Sequence, residues 1–183
     1  MAKIIYIMGP SGSGKDSIIN AVRQQSLDNL QVTHRYITRH WQSGGENHVA
    51  LSESEYNKRQ ALGLFALAWS ANQHQYAIGC EIDAWLKAGQ NVLVNGSRAY
   101  LEQARARYAN DIYPVLIDVE AQKLEQRLMA RGRETQQQIQ ARIIRHQQYR
   151  HDLDSSCDVI DNNHSIEDAM KQVCAIIKRV THS

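Results

Sequence analysis

Residues 9 to 17 read Gly9-Pro10-Ser11-Gly12-Ser13-Gly14-Lys15-Asp16-Ser17, a set of types and spacings suited to holding a chain of phosphates. Glycines at 9, 12 and 14 let successive backbone N–H groups turn inward without Cβ clashes, and the helix that follows adds its positive N-terminal end. Lys15 is then spaced to reach the β- and γ-phosphates of a bound nucleotide. Asp16 stands where the pattern G-x-x-x-x-G-K-[ST] carries a hydroxyl. A carboxylate is also a good Mg²⁺ ligand, which makes Asp16, with Ser17 beside it, the candidate metal ligand. The competing reading of Asp16 is a first-turn acid that only complements the helix dipole.

A phosphate cradle alone does not separate hydrolysis from phosphoryl transfer, and the arginines bear on that choice. Arg35 and Arg39, with Thr38 between them, are spaced to clamp an anionic acceptor through bidentate hydrogen bonds; the plain alternative is a solvated basic loop. Arg131, Arg133, Arg142 and Arg145 surround a glycine hinge, Gly132, and the helix after it. Mobile arginines beside a phosphate cradle suit a lid that neutralises charge and excludes water, against the alternative of an ordinary charged helix face. His48 is a candidate donor to a phosphate or sugar oxygen, and Tyr76 a candidate contact through its hydroxyl. Asn95-Gly96-Ser97-Arg98 closes a buried strand, and ligands of open α/β sheets gather at such carboxyl ends. No H-E-x-x-H, C-x-x-C or G-x-S-x-G occurs, so metalloprotease, zinc-site and serine-hydrolase readings have no foothold.

The elements that must position these residues alternate between strand-like and helix-like, which predicts an α/β fold with a mainly parallel sheet. Strands are expected at 4–8, 32–37, 49–51, 64–69, 75–78, 91–94, 113–119 and 159–160. Helices are expected at 17–25, 52–62, 81–88, 101–108, 121–130, 136–149 and 166–180, with Ser52 as an N-cap ahead of Glu53 and Glu55. The short elements between 34 and 79 predict a small inserted lobe on a single domain whose core is 1–33 and 80–183, with a lid near 131–145. A chain of 183 residues, 43% hydrophobic, is long enough for one well-buried domain. A net charge of +2 does not make the surface a nucleic-acid-binding field. Cys80, Cys157 and Cys174 are odd in number and widely spaced, against a disulfide framework. No apolar run approaches the ~18 residues needed to span a bilayer, and a cytoplasmic protein without nucleic-acid or membrane partners is expected.

Several of these segments together resemble the guanylate kinase branch of the nucleoside monophosphate kinases over nearly the full length. Gly9 to Lys15 is similar to that family's glycine loop, Thr38-Arg39 to its T-R clamp, and Gly45-Glu46 with His48 and Ser52 to its acceptor-phosphate contacts. Phe65 to Trp69 with Tyr76 resembles its F-x-E-W and tyrosine stretch, and Arg127-Leu128 through Arg131-Gly132, then Arg142, its R-L-x-x-R-G lid. The resemblance implies a P-loop NTPase fold with an acceptor-binding lobe and a lid, using ATP and Mg²⁺. It implies a donor site of Gly9 to Ser17 with Arg131 and Arg133, and catalytic roles for Lys15, Arg131 and Arg142. The implied acceptor site comprises Arg35, Thr38, Arg39, Glu46, His48, Tyr76, Asn95, Ser97, Arg98, Arg142 and Arg145.

Departures fall where that family reads guanine: its glutamate before the tryptophan is Ala68 here, and its D-x-D is Asn95-Gly96-Ser97. Loss of such acceptors removes the hydrogen bonds that define the base. The combination of G-P-S-G-S-G-K-D-S, H-R-Y-I-T-R, E-N-H-V-A-L-S, F-A-L-A-W and V-N-G-S-R-A is closer to a branch of the family that phosphorylates a ribose bisphosphate. That likeness implies ATP plus ribose 1,5-bisphosphate giving ADP plus 5-phosphoribosyl 1-diphosphate, within phosphonate utilisation. A guanylate kinase with altered base recognition and a non-catalytic phosphoprotein-binding module stay open beside it, as does a homodimer.

Overall fold

The computed structural model describes residues 2–43, 45–132, 134–151 and 157–181. Along the first half run β1 (Ile4–Met8), α1 (Lys15–Gln24), β2 (Leu30–Val32), β3 (Tyr36–Ile37), β4 (Val49–Ala50), α2 (Glu53–Ala61), β5 (Phe65–Ala71) and β6 (His74–Gly79). Then follow α3 (Glu81–Lys87), β7 (Asn91–Asn95), α4 (Leu101–Tyr108), β8 (Ile112–Asp118), α5 (Ala121–Arg131), α6 (Gln136–His151), β9 (Asp158–Asp161) and α7 (Ile166–Thr181).

β1 is an unbroken apolar run, buried at every residue, as a strand covered on both faces must be. Its side chains still alternate between two cores. Ile4, Tyr6 and Met8 join Ile82 of α3 and Leu101 and Ala104 of α4, whereas Ile5 and Ile7 join Ile18, Ile19 and Val22 of α1 and Val173 and Ile177 of α7. Each fully buried isoleucine contributes about 1.5–3 kcal/mol. The five-stranded sheet has the order β2-β7-β1-β8-β9 and is parallel throughout. The chain crosses in opposite directions from β1, so the carboxyl ends of β1, β7 and β8 form one crevice, the expected ligand position in a doubly wound sheet.

A second sheet, four-stranded with the order β4-β3-β6-β5, is built from residues between 36 and 79. Its β5–β6 hairpin closes through Asn72 and Gln73, both at positive φ, the two-residue turn whose twist matches the strands. One side of this sheet, through Ile37, Leu67, Trp69, Tyr76 and Ile78, enters the same apolar cluster as Ile4 and Tyr6. Ser52 caps α2, its Oγ accepting from Glu55 N at 3.1 Å.

The expected strand 32–37 is corrected by the structure: it divides between the two sheets. Leu30–Val32 pairs with β7, whereas Tyr36–Ile37 pairs with β4 and β6. The break follows Thr33, which is buried and directs both its N–H and its hydroxyl at the Leu93 carbonyl, ending that ladder. Alternation of side chains continues through the bend, so periodicity could not report the change of partner. Pro114 lies in an interior strand opposite Tyr6 of β1, and β9 begins to pair only at Val115. The missing N–H therefore falls where one neighbour is absent. Cys80, Cys157 and Cys174 form no disulfide, and among the described residues no helix is long and apolar enough to cross a membrane.

Candidate active site

The glycine loop leaves β1 and enters α1 with Gly14 at φ 89° as the N-cap. A Cβ on Gly14 would stand 2.5 Å from Asn162 Nδ2, and that amide donates to the Ser13 carbonyl at 2.6 Å. Arg127 of α5 donates to the Asn162 carbonyl at 2.9 Å and to the Ser13 carbonyl at 3.4 Å. The loop backbone is thus pinned by residues 149 and 114 positions away in sequence. From the sequence, Arg127 was expected only as part of a lid, and Asn162 had no assigned role. Arg127 lies within R-L-x-x-R-G, while Asn162 carries no local signal.

Lys15 is folded back on the loop, its ammonium donating to the carbonyls of Gly9 at 2.7 Å and Pro10 at 2.9 Å. Burial pushes its pKa down to about 8. Asp16 opposes that shift, whereas the charges of Arg35 and Arg131 reinforce it, so both arginines act electrostatically on this site. Ser11 and Ser17 are exposed, and Ser13 is buried.

Asp16 and Asn95, called from different parts of the sequence, meet here: Asn95 Nδ2 donates to Asp16 Oδ1 at 2.8 Å. Asn95 is the last residue of β7 and only 5% exposed. Behind it, the Ser97 N–H donates to the Tyr6 hydroxyl at 2.9 Å, and that hydroxyl donates back to the Ser97 carbonyl at 2.9 Å. Burial pushes the Tyr6 pKa up to about 12, which keeps the donor protonated. Gly96 is needed between them, because a Cβ there would stand 2.1 Å from Tyr6 Cζ. Gly96→Ala is therefore expected to cost about 1–3 kcal/mol by overpacking. Urea denaturation checks this, and a variant as stable as wild type would refute the packing. Ser97 contributes its backbone to this contact, and Arg98 opens a partly buried 3₁₀ turn, Arg98–Tyr100.

The predicted clamp is assembled around a glutamate. Arg35 Nε donates to Glu46 Oε1 at 2.5 Å, and its Nη2 donates to Glu46 Oε2, a bidentate pair. Arg39 Nη2 lies 3.7 Å from Glu46 Oε2, and Arg35 Nη2 lies 4.0 Å from Asp16 Oδ1. This chain of contacts joins the clamp to the glycine loop. Burial works against the Arg35 charge, but Glu46 outweighs it and holds the guanidinium above its ordinary pKa. The Arg35 guanidinium also lies over the Tyr76 ring, 5.1 Å from its centroid. His48 presents its ring nitrogens to the carbonyls of Arg39 and Glu46, each at 3.1 Å. Thr38 accepts from Gln75 N at 2.8 Å through Oγ1, leaving its hydroxyl hydrogen for another acceptor.

Trp69 stacks between Tyr76 and Tyr100, with centroid separations of 5.7 and 5.6 Å, and the Tyr100 hydroxyl lies 3.5 Å from Ala68 N. Ala68, where the sequence lacks the guanine-reading glutamate, packs instead on the other face of β5, against the cluster of Leu51, Tyr56 and Ala77.

Where a lid was expected, Arg131 ends α5 and Gly132 caps it at φ 64°. Ile139 and Ile143 of α6 pack on Leu124 and Leu128 of α5, and His146 donates from Nε2 to the Val119 carbonyl at 2.7 Å. Arg142 is 3.3 Å from Glu134 Oε1, a nearly buried carboxylate, so this arginine too is held by a glutamate. Arg145 is exposed, and Arg133 lies outside the described residues.

Lys15, Arg35 and Arg131 bear on one loop, and the carboxylates of Asp16 and Glu46 stand among them. The sequence profile of the guanylate kinase family matches residues 1–180. A ribose 1,5-bisphosphate phosphokinase PhnN from Pectobacterium parmentieri is 52% identical over 91% of this chain and 89% of its own length. The protein of that name from Yersinia pestis is 49% identical over 94% and 90%, and that from Pantoea vagans 45% identical over 97% and 98%. In fold, the crystal structure of guanylate kinase from Anaplasma phagocytophilum superposes with a TM-score of 0.76 at 12% identity, covering 100% of this chain and 87% of that one. The fold is thus shared with that structure, and the chain belongs to the guanylate kinase family.

Proposed function

We propose that this protein is a kinase that transfers the γ-phosphoryl group of ATP to the 1-phosphate of ribose 1,5-bisphosphate, giving ADP and 5-phosphoribosyl 1-diphosphate. The observation that carries this reading is the 45–52% identity, over most of both chains, to proteins named ribose 1,5-bisphosphate phosphokinase. The site supports it: arginines for anions are retained, and the positions at which the family reads guanine hold Ala68, Asn95 and Ser97, none of them an acid. Such a reaction belongs in the cytoplasm, where ATP is made.

The acceptor needs no general base, because a phosphomonoester with a second pKa near 6 is largely dianionic at neutral pH. One oxygen of the 1-phosphate attacks the γ-phosphorus as the bond to the β–γ bridging oxygen breaks, and ADP leaves. Positioning and charge neutralisation then account for catalysis. The loop N–H groups of Ser11, Gly12 and Gly14 cradle the donor, and Lys15 exchanges the Gly9 and Pro10 carbonyls for phosphate oxygens. Arg35, Arg39 and Thr38 face the acceptor, while Arg131 and Arg142 neutralise the transferring group. The residues at the loop fit a hard divalent cation: Asp16 is about a third exposed, only its Oδ1 is bonded to Asn95, and the Ser17 hydroxyl is open beside it. Asp16 and Ser17 would hold a Mg²⁺ there, which would supply further charge neutralisation during the transfer.

An ATP-coupled assay with ribose 1,5-bisphosphate, ribose 5-phosphate and GMP as rival acceptors tests the assignment. ADP release matched by diphosphate formation is expected for the bisphosphate alone. Equal or faster turnover of GMP would overturn it.

A further inference from the structure

Two positions at which the sequence departs from its family's pattern are in direct contact. Position 16 has a carboxylate in place of a hydroxyl, and position 95 has an amide in place of a carboxylate. Asn95 Nδ2 donates to Asp16 Oδ1 at 2.8 Å. We infer that Asn95 is a positioning residue for Asp16, holding one carboxylate oxygen so that the other faces the divalent cation of the donor, and that the two departures are one reciprocal exchange keeping a single negative charge at this spot. The inference rests on the proposed kinase reading.

Three observations carry it. First, the orientation of the Asn95 amide is chemically fixed: reversed, it would set a carbonyl oxygen against a carboxylate oxygen, two acceptors with no hydrogen between them. Second, Asn95 Oδ1 is fully buried with no hydrogen-bond partner. An acceptor gains nothing from phosphate oxygens, which also only accept, so this carbonyl is unsuited to a substrate phosphate and suited to a cation, its water or a hydroxyl, between which the acceptor KM below discriminates. Third, Asn95 cannot withdraw. It pairs in register with Ile7 of β1, the next N–H donates to the Ile7 carbonyl at 2.8 Å, and Ser97 is tied to Tyr6 from both sides. Asp16 sits on the first turn of α1 with Arg35 4.0 Å from the same oxygen. A rigid strand end thus orients a carboxylate on a helix start, as partners of metal ligands commonly do.

A carboxylate at 95 facing Asp16 would place two acceptors at hydrogen-bonding distance, which is repulsive unless they share a proton. An amide at 16 with a carboxylate at 95 would restore the same bond with donor and acceptor reversed. The test follows Mn²⁺ uptake in the presence of ATP by electron paramagnetic resonance, alongside the acceptor KM and the melting temperature. It uses wild type, Asn95→Ala, Asn95→Asp, Asp16→Asn and the Asp16→Asn/Asn95→Asp exchange. Asn95→Ala is expected to weaken Mn²⁺ affinity about tenfold or more, with the acceptor KM changed less than about twofold. The exchange is expected to recover most of the metal affinity that either of its component substitutions loses. Wild-type Mn²⁺ affinity in Asn95→Ala together with a raised acceptor KM would overturn the inference and make Asn95 a substrate contact. If Asn95→Ala fails to fold, the exchange decides: a folded exchange variant no better than Asp16→Asn overturns it. Wild-type protein that takes up no Mn²⁺ with ATP would instead remove the donor-site reading itself.

Discussion

Lys15→Ala is expected to lower kcat by at least about 10³-fold while the chain stays folded, as judged by circular dichroism and single-turnover assays. The lysine is the one ammonium held inside the glycine loop, and in this structure its hydrogen bonds go to loop carbonyls that a nucleotide's phosphates would replace. Unchanged turnover would remove the donor assignment. Stability should move the other way, and the sign follows from its pKa, about 8 in the fold against 10.5 ordinarily. Between those values the unfolded chain holds a proton that the native chain has released, so stability rises with pH across that window. The cost of burying the charge is complete below pH 8 and is relieved toward pH 10.5. Lys15→Met removes the charge at every pH. It should be more stable than wild type near neutrality, with the gap narrowing as pH rises; a gap that widens would contradict the burial of Lys15.

Arg35→Ala should have the second largest effect, on both acceptor turnover and stability. Arg35 and Glu46 have side chains only 13% and 11% exposed and form a bidentate pair. Removing the guanidinium leaves a nearly buried carboxylate facing only the more distant Arg39, 3.7 Å from its Oε2, a loss of at most about 3–5 kcal/mol. The double variant Arg35→Ala/Glu46→Gln should regain much of that stability but none of the acceptor affinity. Chemical denaturation and the acceptor KM, measured on the same preparations, separate the two roles. Recovery of the KM in the double variant would show that Arg35 acts only as a partner for Glu46. Arg35→Lys should not substitute well, since an ammonium cannot make the paired Nε and Nη2 contacts.

Much of this was legible along the chain. The glycine loop, the capped helix after Ser52 and the continuous apolar run of β1 are local patterns, each imposed by backbone sterics or by burial on both faces. The arginines at 35, 39, 131 and 142 could be singled out because guanidinium groups near a phosphate cradle have few other uses. Their partners were not visible in the same way. Glu46 was read as a contact for the acceptor, and its carboxylate is bonded to Arg35; Glu134 had no assigned role, and it holds Arg142.

By itself, the sequence determined that a glycine-rich loop joins a buried strand to a helix and that arginine groups accompany it, while only its resemblance to the family implied that acids for reading guanine are missing. These depend on residue type and short spacing, which a chain carries locally. The tertiary structure decided which sheet each half of segment 32–37 joins, that Asn162 and Arg127 hold the loop from across the crevice, and that Asp16 and Asn95 share a hydrogen bond across 79 residues of chain. Strand order and crossover direction create those contacts. Neither is written into any local pattern, because the same alternating residues would serve equally well against a different neighbour.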